Sequence, residues 1–399
     1  MAHHPAVAAS SRCISELPQE LHDKILDEVG PDFATLKNCS LVCRSWLPRS
    51  TTNLFAHARV CVLATEDDAD SEVLQAVRAP GRLHDNVVAL SLCRLSSEEW
   101  RVVQELPRLR KLTVYCCDQC PLRTDSPTPV PAPCPSTRNI EVLDVQCVPL
   151  DVLDWLLCMF DNIGSLRIPR ITSRLTTPPT ARRHAVRSVT LQGSGHAVFH
   201  YLADTLRSDA LESLEIDVEG PYSPGDEHEP LADAFVRQVG RSIKSYHHID
   251  RKPIYRTLDL PSLSGCAGLT SVTLSTGALN AVHFPSKHAR VIECLGSLPP
   301  GVEHVKLVYT SHWNSAGELA EMVGQCGWGA LGAALLQCAR LARFEIGVVH
   351  IHRWPSCPRF EDDPALGEVI RQTLPKRLRD MVEFVCRDSH PACRDCISL

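Results

Sequence analysis

The amino-acid sequence predicts an α/β protein in which a small three-helix unit precedes a long series of alternating strands and helices. Two observations lead to this prediction. Helix start and stop signals divide residues 17–47 into three short helices. From residue 87 onward, one spacing of apolar residues recurs, with helical segments between its copies. At 399 residues the chain exceeds a typical domain of roughly 100 to 200 residues, so one small and one large unit are expected.

Composition and charge narrow the class of protein. Hydrophobic residues make up 44% and charged residues 22% of the chain, which are ordinary globular values. The net charge of -6 argues against nucleic acid as the main partner, because nucleic-acid-binding proteins usually carry a basic face. The first residues lack the basic start and apolar run of a secretory signal, and no apolar run reaches the roughly 18 residues of a membrane span. We therefore expect a soluble protein of the cytoplasm and/or nucleus.

The sequence carries start and stop signals for the first three helices. Pro18 suits the first position of a helix and Gly30 suits its end. Asp32 is a good cap for a short second helix. Ser40 is expected to open a third helix, which Pro48 ends. The residues before 13 are expected to be disordered, and residues 53–86 to connect the two units through one strand and one helix.

Beyond residue 87, an apolar residue is followed by two variable positions, an apolar residue, one variable position and an apolar residue; we call this the apolar triplet. Each copy is expected to form a short strand. The copies are Val87–Leu90–Leu92, Leu109–Leu112–Val114, Ile140–Leu143–Val145, Ile163–Leu166–Ile168, Val186–Val189–Leu191, Leu211–Leu214–Ile216, Leu269–Val272–Leu274, Val302–Val305–Leu307 and Leu341–Phe344–Ile346.

The apolar triplet resembles the signature of leucine-rich repeats, which form one strand per repeat and stack into a solenoid. The steps between copies are irregular: 58 residues separate Leu214 from Val272, and Leu258 and Leu260 are candidate centres inside that gap. We predict an irregular leucine-rich-repeat-like domain over residues 87–385. A different α/β arrangement is the alternative, since buried parallel strands also show short apolar runs.

Helical patterns occupy the spaces between the triplets. They cover residues 96–106, 151–160, 197–206 and 231–243. A proline-rich segment at 121–138 is expected to be an extended insertion, and residues 386–399 are expected to form a C-terminal tail.

The N-terminal helices carry a second resemblance. Leu17-Pro18, Glu20-Leu21, Ile25-Leu26, Leu36 and the run from Cys39 to Trp46 are similar to an F-box, most closely to those of fungal F-box proteins. The similarity covers residues 17–47, and the F-box module is placed at 13–52. The alternative is an ordinary helical hairpin that caps the solenoid.

The resemblance to F-box proteins implies a function. In that family the F-box binds a Skp-type adaptor, the adaptor links it to a cullin, and the repeat domain holds a protein substrate for ubiquitination. An F-box scaffold that delivers no substrate is the alternative function. Carried over to this sequence, the adaptor-binding residues would be Leu17, Pro18, Leu21, Ile25, Leu26, Leu41, Val42 and Trp46.

Substrate contacts are expected at the variable positions beside the central residue of each triplet. These positions mix both signs of charge and therefore do not indicate an acidic or phosphorylated substrate. They are Lys111, Thr113, Val142, Asp144, Ser165, Arg167, Ser188, Thr190, Glu215, Lys306, Arg343 and Glu345.

We predict no catalytic residues, no cofactor and no metal site. The sequence has neither a G-x-S-x-G turn nor a phosphate-binding loop nor an H-E-x-x-H motif. Two cysteine clusters, 116–120 and 386–396, lack the full spacing of a zinc site. Cys396 stands fourth from the end, as in a C-a-a-X prenylation box, although Ser398 occupies a position where an aliphatic residue is preferred. Membrane attachment is therefore only an alternative expectation.

Overall fold

The computed structural model describes residues 17–29, 32–56, 61–62, 77, 79, 81–92, 97–115, 138–169, 171, 183–193, 196–218, 231–250, 260–279, 284–311, 324, 326–351 and 364–389. The chain forms two compact units, which meet in sequence between Thr113 and Val114. The first unit thus runs past residue 87, where we had placed the boundary.

The first unit begins with three helices, and α3 ends four residues later than the predicted boundary at 52. Among the described residues, its further elements are two helices and the strands β1 and β2, while β3 crosses the division between the units. The bounds are α1 (Gln19–Glu28), α2 (Phe33–Val42), α3 (Leu47–Ala56), β1 (Cys61–Val62), α4 (Arg82–Asn86), β2 (Ala89–Leu92), α5 (Ser97–Glu105) and β3 (Lys111–Tyr115).

Helix α2 begins as the sequence predicts. The Asp32 carboxylate accepts hydrogen bonds from the backbone N–H groups of Ala34 and Thr35, at 3.1 and 3.2 Å. These bonds satisfy N–H groups that have no partner inside the helix. The hydrogen bond from the Thr35 hydroxyl, together with these two backbone hydrogen bonds, holds the pKa of the Asp32 carboxyl below its usual range.

The predicted boundary between the second and third helices is wrong. Ser40 continues α2, because its hydroxyl donates to the Lys37 carbonyl at 2.6 Å instead of capping a new helix. Pro48 lies in the first turn of α3 and does not end a helix. In a first turn the missing N–H of proline costs no intrahelical hydrogen bond.

Polar contacts hold α3 against α1. The Arg49 guanidinium donates two hydrogen bonds of 2.7 Å to the Asp27 carboxylate. The Asn53 amide donates to Asp27 and to the Leu26 carbonyl. In this arrangement the face of α1 that carries Leu26 points inward, and Leu26 is fully buried.

The second unit alternates strands and helices. Within the described residues, its strands from β4 onward form a sheet in chain order, each parallel to the next. The elements are β4 (Asn139–Gln146), α6 (Leu150–Cys158), β5 (Asn162–Pro169), β6 (Ala185–Gln192), α7 (His196–Thr205), β7 (Ser213–Val218), α8 (Leu231–Val239), a 3₁₀ turn (Gly240–Ser242), β8 (Ser245–Asp250), β9 (Ser271–Leu279), α9 (Phe284–Gly296), β10 (His304–Ser311), α10 (Trp328–Leu335), β11 (Arg343–Ile351), α11 (Pro364–Thr373), α12 (Lys376–Arg379) and β12 (Val382–Ser389).

The central and third residues of the apolar triplets fall on strands, and in the second unit the central residues are in register. One continuous row of paired positions runs across the second unit. It consists of Leu143, Leu166, Val189, Leu214, Tyr246, Val272, Val305, Phe344 and Val382. All of these side chains are buried. The α/β class with a parallel sheet is therefore confirmed.

Two strands lie where the sequence analysis placed none. Strand β8 fills the 58-residue gap with Tyr246 as its central residue, whereas Leu260 lies outside every strand and Leu258 lies outside the described residues. Strand β12 pairs with β11 as far as Ser389. The predicted tail at 386–399 therefore overlaps the last residues of this strand.

A buried ion pair joins β8 to α9. The Lys287 ammonium lies 3.0 Å from an Asp250 carboxylate oxygen, and the two side chains are 1% and 2% exposed. Lys287 sits in the first turn of α9, where the helix dipole disfavours a cation. Its partner is therefore what makes the burial of this charge tolerable.

His288, the next residue, is buried in an aromatic cluster. Its Nδ1 is 3.0 Å from the Tyr309 hydroxyl, and its ring centroid is 4.5 Å from that of Trp328 and 5.6 Å from that of Phe284. Its Nε2 is buried without a hydrogen-bond partner among the described residues. Burial lowers the pKa of His288 to about 4, so the core holds a neutral imidazole at neutral pH.

None of the helices in the described part of the chain has both the length and the apolar character needed to cross a bilayer.

Candidate functional site

Among the described residues, large apolar side chains are exposed almost exclusively on the three N-terminal helices and directly before α1. Seven are exposed in the described part of the chain, and only Leu336 lies outside this region. Since isolated surface apolar residues are common in proteins, the concentration is the informative feature. The six N-terminal ones are Leu17, Leu21, Ile25, Leu41, Val42 and Leu47.

Leu21 and Ile25 lie four residues apart, which places them on one side of α1, and Leu17 lies directly before the helix. His22 and Leu26 also lie four residues apart and are buried. The predicted adaptor-binding residues of α1 thus separate into an exposed set and Leu26, which supports the helices from inside.

The other three flank the turn between α2 and α3. Leu41 and Val42 end α2 and are 78% and 66% exposed, and Leu47 begins α3. Two contacts bring α1 next to this turn. The Gln19 amide donates to the Ser45 carbonyl at 3.2 Å, and the His22 and Trp46 rings meet edge to face with centroids 5.9 Å apart.

We call these six side chains the N-terminal apolar surface: the start of α1 lies next to the turn that carries Leu41, Val42 and Leu47, and Ile25 lies further along α1. Pro18 is exposed beside it, and Trp46 is half-buried against His22. Leu47 was not among the predicted adaptor-binding residues. The sequence analysis placed it at the end of the third helix, directly before Pro48, whereas it begins α3.

Polar groups border this surface. Glu20, Lys24, Lys37 and Arg44 are exposed and carry both signs of charge. The Cys43 thiol lies 3.0 Å from the Ser45 hydroxyl, and this hydrogen bond lowers the pKa of the thiol. An apolar centre with a mixed polar rim is the usual composition of a protein–protein interface.

The predicted substrate positions occupy the face of the sheet opposite the buried row. On β4 to β7, Asp144, Arg167, Thr190 and Glu215 form one row of paired positions, one residue after the central residues. The same row continues through His247, Thr273, Lys306, Glu345 and Glu383. Lys111 and Thr113 lie on β3, in the first unit.

Charges on this face largely neutralise one another. The Lys306 ammonium is 2.8 Å from Glu345, and the Arg343 guanidinium is 3.4 Å from Glu345 and 2.8 Å from Glu383. The Glu383 carboxylate raises the pKa of Arg343. This pairing supports the expectation that the face does not select a ligand by one sign of charge.

The sequence analysis predicted only part of a second row of paired positions on the same face. Ser165 and Ser188 were predicted contact positions, and the structure places Ser213, Ser245 and Ser271 in line with them. Ser213 and Ser271 precede the triplet centres Leu214 and Val272, so the sequence pattern contained the signal. Ser245 was missed together with β8.

No group of three or more histidine, cysteine or acidic side chains able to hold a metal ion occurs among the residues that the structure describes. Cys386 lies on β12. The other members of the two cysteine clusters, including the prenylation candidate Cys396, lie outside the described residues.

Comparison with models of known protein families finds none that matches this chain, and comparison with curated proteins finds no match either.

Proposed function

We propose that this chain is the substrate-recognition subunit of a cullin-type ubiquitin ligase. Its N-terminal helices act as an F-box that binds a Skp-type adaptor. The sheet of the second unit, an irregular leucine-rich-repeat-like solenoid, receives the client protein. The observation that carries the proposal is the N-terminal apolar surface.

The physical argument is one of unsatisfied burial. Leu41 and Val42 would each gain roughly 1.5 to 3 kcal/mol from full burial, and Leu21 and Ile25 of α1, with Leu17 directly before it, add three more exposed apolar side chains. A partner that covers this surface would supply that burial, which is what an adaptor does for an F-box.

The proposed role is not catalytic. A receptor that holds a client close to the ligase raises the local concentration of the acceptor lysines without forming a covalent bond. The client would bind the exposed face of the sheet, where the paired charges and hydroxyl rows lie.

Replacing both Leu41 and Val42 with glutamine should weaken adaptor binding about 100-fold or more, because central apolar anchors carry most of the energy of an interface. The fold should persist, since both side chains are mostly exposed and glutamine is a good helix former. Calorimetric titration of the purified full chain with a Skp-type adaptor measures the effect.

Leu336→Gln is the matched control, because Leu336 is an exposed leucine of the second unit. Its affinity for the adaptor should equal that of the wild type. Equal affinity of the Leu41→Gln/Val42→Gln variant would refute the adaptor interface. Capture of a cullin together with the adaptor separates a ligase subunit from a scaffold that binds the adaptor alone.

A further inference from the structure

Five consecutive strands of the second unit place a serine at the same position. Ser165, Ser188, Ser213, Ser245 and Ser271 are direct partners across β5 to β9. All five are partly exposed. Neighbouring strands lie about 4.8 Å apart, so the row is about 19 Å long.

The hydroxyls of this row are available to a ligand. Elsewhere in the unit serine hydroxyls are used internally: Ser242 donates to the Ser208 carbonyl and Ser297 to the Cys294 carbonyl. Among the described residues, no side-chain hydrogen bond engages any of the five hydroxyls of the row. Each can donate one hydrogen bond and accept others.

Longer side chains border the row on its first side. Arg187, Glu212 and Lys244 directly precede Ser188, Ser213 and Ser245. The Glu212 carboxylate lies 3.5 Å from Arg187 and 3.1 Å from Lys244, so it links the two cations into a continuous ridge. The hydrogen bond from Lys244 holds the pKa of Glu212 below its usual range.

A second ridge runs along the other side. Thr190, Glu215 and His247 are paired across β6 to β8, two residues after the serines. The Glu215 carboxylate is 3.4 Å from His247 Nδ1. Three residues separate the two ridges along each strand, which corresponds to about 10 Å.

On β6 to β8, where both ridges are present, the serines lie between two rows of larger side chains and form a shallow channel; together with Ser165 and Ser271 we call it the serine trough. The ridges lie about 10 Å apart, which suits one extended chain, and the whole serine row of about 19 Å corresponds to roughly six extended residues. Because its floor is small and carries hydroxyls, a peptide can place its own backbone against it and exchange hydrogen bonds. A charged side chain would have to compete with contacts that the ridges already make, whereas an uncharged one would not.

We propose that the serine trough binds an extended, uncharged peptide segment with small side chains, mainly through the main chain of the peptide. As a statement about ligase clients, this inference rests on the proposed function. As a peptide-binding site, it stands on the paired serines and the two ridges alone.

Selection of a phage-displayed library of random dodecapeptides on the full-length chain tests the trough. The enriched peptides should be poor in Asp, Glu, Lys and Arg. Their affinity, measured by fluorescence anisotropy, should fall at least about tenfold on Ser213→Leu/Ser245→Leu, because leucine fills the channel. Ser264→Leu, at an exposed serine outside the trough, is the matched control and should bind as the wild type does.

The variant Ser213→Ala/Ser245→Ala keeps the channel open and removes only two hydroxyls. It should bind the same peptides several-fold more weakly, and it decides the question should the leucine variant fail to fold. Failure to enrich any peptide, enrichment of charged peptides, or unchanged affinity of the alanine variant overturns the inference. Adaptor titration of the same preparations is independent, so loss of the trough and loss of the proposed function are told apart.

Discussion

Replacing Asp250 with leucine is expected to lower the free energy of unfolding of the second unit by about 3 to 5 kcal/mol, because it leaves a fully buried ammonium group without its carboxylate. Lys287 is 1% exposed and reaches Asp250 at 3.0 Å. Urea-induced unfolding of the purified chain, monitored by a signal that reports on the second unit, measures this loss.

The double variant Asp250→Leu/Lys287→Met should recover most of that loss, because both charges are then replaced by apolar groups of similar size. A second substitution is expected to restore stability lost through the first only if the two side chains interact. A double variant no more stable than Asp250→Leu alone would contradict the role assigned to this ion pair.

Stability should also fall as the pH is lowered from about 6.5 to 4, by about 3 kcal/mol from His288 alone. Burial lowers the pKa of His288 to about 4 in the folded chain, whereas an exposed histidine titrates near 6.5. Between these pH values the unfolded chain binds a proton more readily than the folded chain does. The free energy of unfolding therefore decreases as the pH falls. Above about pH 6.5 this contribution of the neutral histidine is fully present.

The comparison of His288→Phe with the wild type isolates this effect from that of other titrating groups. The variant should show a shallower dependence of its unfolding free energy on pH over the same window. His304→Phe is the matched control, since His304 is exposed on β10. Equal slopes for His288→Phe and the wild type would exclude a buried neutral imidazole.

The strands were predictable where hydrocarbon side chains, aliphatic or Phe, fill all three positions of the apolar triplet. The apolar triplet did not predict strand β8 because its central and third positions hold Tyr246 and His248, whose hydroxyl and Nδ1 lie 3.1 Å apart. It did not predict strand β12 because Arg379 stands three residues before Val382, at the first position of the triplet. Partners inside the core can make polar side chains acceptable at such positions, and a single sequence does not show these partners.

The N-terminal apolar surface was predictable as a set of residues but not as a surface. Leu21, Ile25 and Leu26 are equally apolar, and only the packing of α3 through Arg49 and Asn53 turns Leu26 inward. The buried Lys287 and His288 were unpredictable for the same reason. Adjacent polar residues resemble a solvated helix start until β8 and β10 are placed beside them.

Hydrogen–deuterium exchange of the full-length chain, with and without a Skp-type adaptor, tests the central claim most directly. Docking on the N-terminal apolar surface predicts slower exchange in peptides that cover residues 17–29 and 38–50, with unchanged rates in peptides from the second unit. Absence of a complex, or slower exchange confined to the second unit, would contradict the account.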